Sequence, residues 1–87
     1  MPRMTVRHSV QDYAIWRAGF DAHEPVRIAA GLTGAAVFRN AADPNDIVIV
    51  FQATDVAKAR AFCASDDLRQ TMQHLGVLGP PVIDIVD

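Results

Sequence analysis

Apolar and polar positions alternate over Met4–His8, MTVRH, which predicts a strand with Met4, Val6 and His8 on one face. Ser9 and Asp12 then stand where a helix needs an N-cap, because either side chain can accept the unpaired amide protons of a first turn. From about Asp12 to Ala30 the period lengthens to a helical one, and Gly31 supplies a left-handed stop. Pro25 falls inside this stretch. It lacks an amide proton and disfavours helical geometry at Glu24, so a kink or a restart is expected there. Leu32–Arg39, LTGAAVFR, predicts a second strand, within which Gly34 marks a bulge or a close backbone approach. The turn formers of Asn40–Asp46, NAADPND, close a hairpin onto a third strand, Ile47–Gln52, IVIVFQ. Asp55 caps a further helix with Val56, Ala59, Phe62 and Cys63 on one side. Ser65-Asp66-Asp67 breaks that helix and caps LRQTMQHL, which stops at Gly76. Gly79–Pro81 is punctuation, and Val82–Val86, VIDIV, is the last strand.

The order β-α-β-β-α-β is the ferredoxin-like plan of the α+β class, a four-stranded antiparallel sheet with both helical segments on one face. In the third strand Ile47, Ile49 and Phe51 point one way and Val48 and Val50 the other. The second strand is expected to set Leu32, Ala36 and Phe38 against Ala35 and Val37. Both sheet faces are therefore apolar, and the helices cover only one. The simplest cover for the other is the same sheet of a second copy, which predicts a homodimer packed face to face about a two-fold axis.

Composition narrows this further. A chain of 87 residues is expected to form one domain, residues 1–87, burying about 60–65% of its unfolded surface. A hydrophobic content of 51% is high for so small an interior and again favours oligomerisation. A net charge of −2, with Lys58 the single lysine and the seven arginines scattered, argues against a nucleic-acid partner. The lone Cys63 excludes an intramolecular disulfide and fits a reducing compartment. The start, MPRMTVRHSV, has no signal-peptide core, and no run approaches the roughly 20 apolar residues that cross a bilayer. No membrane association and a cytoplasmic location are expected.

The pattern DY..W...F..H...R...G..G..VFRN..DPN.I.I.F, followed by A..F..S.DLR..M...GV.GPP, runs through almost the whole chain. It resembles the small dimeric α+β-barrel proteins grouped near the antibiotic-biosynthesis monooxygenase-like superfamily, in particular their small bacterial members. The resemblance implies a ferredoxin-like protomer, a dimer sharing an eight-stranded barrel, and a pocket between helices and sheet. Enzymes of that superfamily include cofactor-free monooxygenases, isomerases, and lactone-forming or haem-degrading proteins. The matching positions are mostly glycines, prolines, caps and core residues, so they carry the fold and no catalytic set.

Candidate chemistry lies on one helical stripe. At about 100° per residue, Tyr13, Trp16, Phe20, His23, Arg27 and Ala30 share a face, while Arg17, Asp21 and Glu24 lie opposite. A buried arginine needs a carboxylate, a carbonyl or a ligand anion. In a structural account Arg27 caps carbonyls or pairs with an acid such as Asp84, and His23 packs at the helix edge. In a functional account Arg27 holds a carboxylate or enolate and His23 moves a proton, with Tyr13, Trp16 and Phe20 as pocket walls. His8 reaches the same cavity only if its strand face meets the helices. Cys63 is expected in the core, and His74 is explained by the helix dipole. The three histidines have no metal-ligand spacing, and no phosphate loop or nucleophile elbow is present, so neither a metal nor a cofactor is expected. Haem binding, as in the haem-degrading relatives, would require His23, His8 or His74 as axial ligand.

The function expected is that of a homodimer binding a small apolar or aromatic molecule, with cofactor-independent monooxygenase, isomerase or cyclase chemistry. The alternative is a non-catalytic assembly or partner-binding module.

Overall fold

The computed structural model describes residues 1–87. Its elements run β1 (Arg3–Val10), α1 (Tyr13–Ala22), α2 (Glu24–Ala29), β2 (Leu32–Arg39), β3 (Asp46–Ala53), α3 (Val56–Cys63), α4 (Asp66–His74) and β4 (Val77–Val86). The sheet order is β2-β3-β1-β4 with every pairing antiparallel, which is the ferredoxin-like arrangement. No helix is long and apolar enough to cross a membrane.

Local chemistry sets the helix boundaries. Asp12, Asp55 and Ser65 accept from the amides of Ile15, Lys58 and Leu68 at 3.2, 3.1 and 3.2 Å, each satisfying an otherwise orphaned donor. Ser9, the other cap candidate, lies within β1, where it pairs with Asp46 and Leu78. The helix expected over 12–30 is two helices joined at His23. The His23 amide donates to the carbonyls of Gly19 and Phe20, closing α1, and its own carbonyl accepts from the amides of Val26 and Arg27, opening α2. Pro25 fits in the first turn of α2, where its missing amide proton costs nothing. Gly31, at φ +79°, ends α2 in the left-handed region that favours glycine.

The register decides which face the helices cover. Met4, Val6 and His8 of β1 stand beside Phe51, Ile49 and Ile47 of β3, and all six are buried. With Val10, Leu32 and Ala53 they meet Trp16 and Phe20 of α1 and Ala59 of α3. The face of β1 that carries His8 is thus the helix-covered one. Met4, Val10, Leu32 and Ile47 are almost completely enclosed, and truncating such a leucine, isoleucine or methionine to alanine typically costs about 2–5 kcal/mol.

Two strands depart from simple alternation. In β2 one extra residue lies between Thr33, opposite Gln52, and Ala36, opposite Val50. This bulge, at Gly34 with φ +60°, reverses the phase. Leu32 and Val37 consequently share the helix side, while Ala36 and Phe38 turn to the outer face; the expected grouping of Leu32 with Ala36 and Phe38 does not hold. In β4 the strand begins at Val77 rather than Val82. Leu78 pairs with Ser9 and Val82 with Arg7, so four residues of β4 advance along two of β1. Gly79, Pro80 and Pro81 form this irregularity, which an edge strand tolerates because proline's missing amide faces no ladder partner.

The outer face is striped. One row reads Phe38, Val48, Arg7, Val82 and the next Ala36, Val50, Thr5, Asp84. Phe38, Val82 and Leu78 are more than half exposed. Arg7 lies across the surface in a two-pronged ion pair with Asp46, at 2.7 and 3.2 Å.

Candidate functional site

Between the helices and the sheet lies a partly open cavity of about 60 Å³. Its floor is Met4, Val6, Ile49, Phe51 and Ile83 of the sheet. One wall is Trp16 and Phe20 of α1 with Arg27 of α2, and the other is Leu68, Thr71, Met72 and Leu75 of α4 and its C-terminal end. His8 and His23 complete the polar lining. No aspartate or glutamate lines it. The α4 wall is brought close by Gly19, where a Cβ would overlap the side chain of Leu75.

The polar groups are joined by an aromatic row. The His8 ring meets Trp16 edge-on at 5.5 Å and 72°, Trp16 stacks on Phe20 at 4.8 Å and 26°, and the Arg27 guanidinium carbon lies 3.7 Å over the Phe20 ring. This places an imidazole at one end of the row and a guanidinium at the other. Five of the six residues expected to form the site, His8, Trp16, Phe20, His23 and Arg27, line the one cavity. Tyr13 stands outside it, with the Arg39 guanidinium 3.7 Å over its ring, and Arg39 is held in turn by the Pro44 carbonyl at 2.9 Å.

Arg27 is 4% exposed despite the break at Pro25. Its Nη1 donates to the Phe20 carbonyl at 2.6 Å, and it forms no ion pair with any carboxylate. Burial lowers its pKa from the usual arginine value, with Glu24 and Asp21 only partly opposing the effect. Asp84 is not its partner, since that residue pairs with Thr5 on the outer sheet face. Arg17 and Asp21 pair with each other at 3.1 Å on the solvated side of α1.

His23 sits at the α1–α2 joint, its Nε2 3.3 Å from Asp67 Oδ2 at the start of α4. This contact bridges the two helical walls. Asp67 and the α4 lining residues were not expected in the site. The spacing of Leu68, Met72 and Leu75 held the signal for one apolar stripe, whereas Ser65-Asp66-Asp67 carries a capping pattern and nothing more.

His8 is 7% exposed, and its Nδ1 is sealed from solvent with no hydrogen-bond partner. Burial lowers its pKa, more than its own backbone carbonyl and distant Asp46 raise it, so the imidazole is neutral at pH 7. Cys63 is half-buried, its thiol 3.3 Å from Met4 Sδ and pushed up in pKa by burial, which makes it inert packing. His74 ends α4, as expected from the sequence. No cluster of three or more His, Cys, Asp or Glu side chains suited to a metal ion is present. Of the three histidines from which haem would take its axial ligand, His8 and His23 reach the cavity and His74 does not.

No protein-family model matches the chain, and no curated protein matches it by sequence. Solved structures do match it in three dimensions. A protein from Bordetella bronchiseptica assigned as an antibiotic biosynthesis monooxygenase superposes with a TM-score of 0.81 at 21% identity, over 99% of this chain and 94% of that one. SnoaB, a cofactor-independent oxygenase from Streptomyces nogalater, gives 0.75 at 14% identity, over 99% and 90%. A conserved protein from Methanosarcina mazei Go1 gives 0.73 at 12% identity, over 98% and 89%. At such identities the likeness establishes the fold: this chain has the ferredoxin-like architecture of antibiotic biosynthesis monooxygenase-like proteins.

Proposed function

We propose that the protein is a homodimer that binds a small apolar or aromatic molecule between sheet and helices and transforms it by proton transfer without a cofactor. The observation that carries this is Arg27, a buried cation with no carboxylate partner, set in a cavity that contains no acid. Such a group is costly to bury unless it meets an anion. An enolate or carboxylate of a bound molecule is that anion. His23, oriented by Asp67, takes the proton from a carbon beside a carbonyl, the C–H electron pair moves to the carbonyl oxygen, and Arg27 holds the resulting charge. Return of the proton to a second carbon completes an isomerisation. The same enolate carbon attacking dioxygen or a second carbonyl leads to oxygenation or ring closure. The likeness to a cofactor-independent oxygenase supports this class of chemistry.

The cavity of about 60 Å³ is smaller than the about 150 Å³ that admits a benzene ring. A ring therefore enters only if lining side chains give way, and α4, which has no buried residue, is the wall least fixed by packing. The small volume also favours the second reading, a closed assembly module without a ligand. Dimerisation through the outer face is supported by exposed Phe38 and Val82 in a row with Val48.

Native mass spectrometry of the purified protein tests these points together. A dimer carrying an adduct that leaves on denaturation, with the dimer lost in Phe38→Asp and the adduct lost in Arg27→Met, is the expected result. A dimer that stays bare when offered aromatic carbonyl compounds favours the assembly module. A wild-type monomer refutes the face-to-face association.

A further inference from the structure

We infer that the ligand is an oxo monocarboxylate with an apolar body, and that Arg27 holds its carboxylate in a cleft outside the cavity, between α2 and the bulged part of β2. This rests on the reading that Arg27 meets an anion of the ligand. The cleft has a volume of about 230 Å³ and is bordered by Glu24 and Ile28 of α2 and by Thr33, Gly34 and Ala35 of β2. Arg27 is the one side chain that borders both this cleft and the cavity. A guanidinium offers five N–H donors. The sole hydrogen bond of Arg27 uses one of them, from Nη1 to the Phe20 carbonyl. Its Nε and Nη2 have no partner, yet they keep accessible surface, because no nitrogen of Arg27 is both sealed and unpaired. A cation only 4% exposed, with free donors where two spaces meet, suits oxygens that arrive from both.

The two spaces divide the ligand between them. The cavity, at about 60 Å³, has room for a carbonyl group and not for a ring, whereas the cleft has room for a ring against the exposed side chain of Ile28. A carboxylate on the cleft side of Arg27 and a carbonyl beside it on the cavity side use the donors that the Phe20 carbonyl leaves free. The carbonyl is then the group whose enolate Arg27 steadies. Glu24 sets the charge. It forms no ion pair, and it borders the same cleft, so one negative charge is answered by Arg27 and a second is repelled.

Benzoylformate, benzoate and phthalate are the probes. The first has a ring, a carboxylate and an adjacent carbonyl, the second lacks the carbonyl, and the third adds a second negative charge. Benzoylformate has no enolisable proton and stays intact during titration. In amide chemical-shift titrations of the wild-type protein it should shift Thr33, Gly34 and Ala35 and bind about tenfold more tightly than benzoate, the worth of one further bond to a charged donor. Glu24→Gln should raise the affinity for phthalate about threefold relative to benzoate. Ala35→Trp fills the cleft from an exposed position and should weaken benzoylformate at least about tenfold with Tm unchanged. Should that variant not fold, Glu24→Gln decides the same point, since Glu24 is exposed, and an unchanged ratio of phthalate to benzoate overturns the cleft. Shifts confined to Val6, Ile49 and Ile83 of the cavity floor, or binding that survives Ala35→Trp, also overturn the cleft and leave the cavity site standing. Equal affinities for benzoylformate and benzoate overturn the oxo acid. Binding of none of the three, or benzoylformate binding that Arg27→Met does not weaken, overturns this inference together with the anion-holding role of Arg27.

Discussion

Replacing Arg27 with methionine separates a structural arginine from a functional one. The side chain keeps its stem and loses its charge. One loss is the hydrogen bond from Nη1 to the Phe20 carbonyl, worth about 1.5–3 kcal/mol for a charged donor. A second is the guanidinium stacked 3.7 Å over Phe20, worth about 0.5–2 kcal/mol. The Phe20 carbonyl is not orphaned, since it still accepts from the His23 amide at 3.2 Å. Against these losses stands the removal of a buried cation that has no carboxylate, a desolvation penalty of several kcal/mol. The opposing effects are of similar size, so Arg27→Met should lie within about 1 kcal/mol of the wild type, a Tm change of at most about 8 °C for a domain of this size. Affinity for an anionic probe such as benzoate should fall at least about tenfold, the loss of one charge-assisted contact. Urea unfolding and a benzoate titration on the same samples provide both numbers. A variant destabilised by more than about 3 kcal/mol that still binds benzoate as the wild type does would refute the reasoning and make Arg27 a brace between α1 and α2.

The Arg7–Asp46 pair predicts an acid limb of stability. Bonds from Arg7 and Asn40 hold the Asp46 carboxyl down at about 2, so its contribution is complete above the ordinary aspartate range and is lost as pH falls through that value. Tm measured from about pH 4 to 2 should drop more steeply in the wild type than in Arg7→Met, and parallel curves would exclude the pair as a cause. Gly34→Ala should cost about 1 kcal/mol in urea unfolding, because the added Cβ meets nothing closer than Gln52 at 3.7 Å and only the left-handed backbone is penalised. Asp67→Asn should speed hydrogen exchange over Asp66–His74 by about fivefold, the worth of one side-chain hydrogen bond of about 1 kcal/mol, and leave β1 and β3 unchanged. Unchanged exchange in α4 would show that the His23 contact does not hold that wall.

The element order, the three capping residues and the restart at Pro25 were legible because each depends on neighbouring residues alone. So was the alignment of Trp16, Phe20, His23 and Arg27, which follows from helical period and survives the joint, since all four line the cavity. Three features were not. Gly34 announced an irregularity without its consequence, since whether one extra residue reverses the strand's phase depends on how β3 pairs with it. Gly79–Pro81 marked an interruption that in the structure is a bulge inside a longer strand, because Val77 and Leu78 find partners at Val10 and Ser9. The third is the position of His8, whose significance depends on which sheet face the helices cover and on the absence of any partner for its Nδ1. These are facts of tertiary packing, invisible to local period.

The two bulges lie in β2 and β4, the two border strands of the sheet. A border strand with straight, unbroken amides is a template on which further chains can stack without limit. Here one border is kinked at Gly34 and the other carries Pro80 and Pro81, two consecutive residues that offer no amide hydrogen. Open-ended fibrous growth is thereby discouraged at both margins. A chain that is half hydrophobic can in this way stay a finite particle at high concentration.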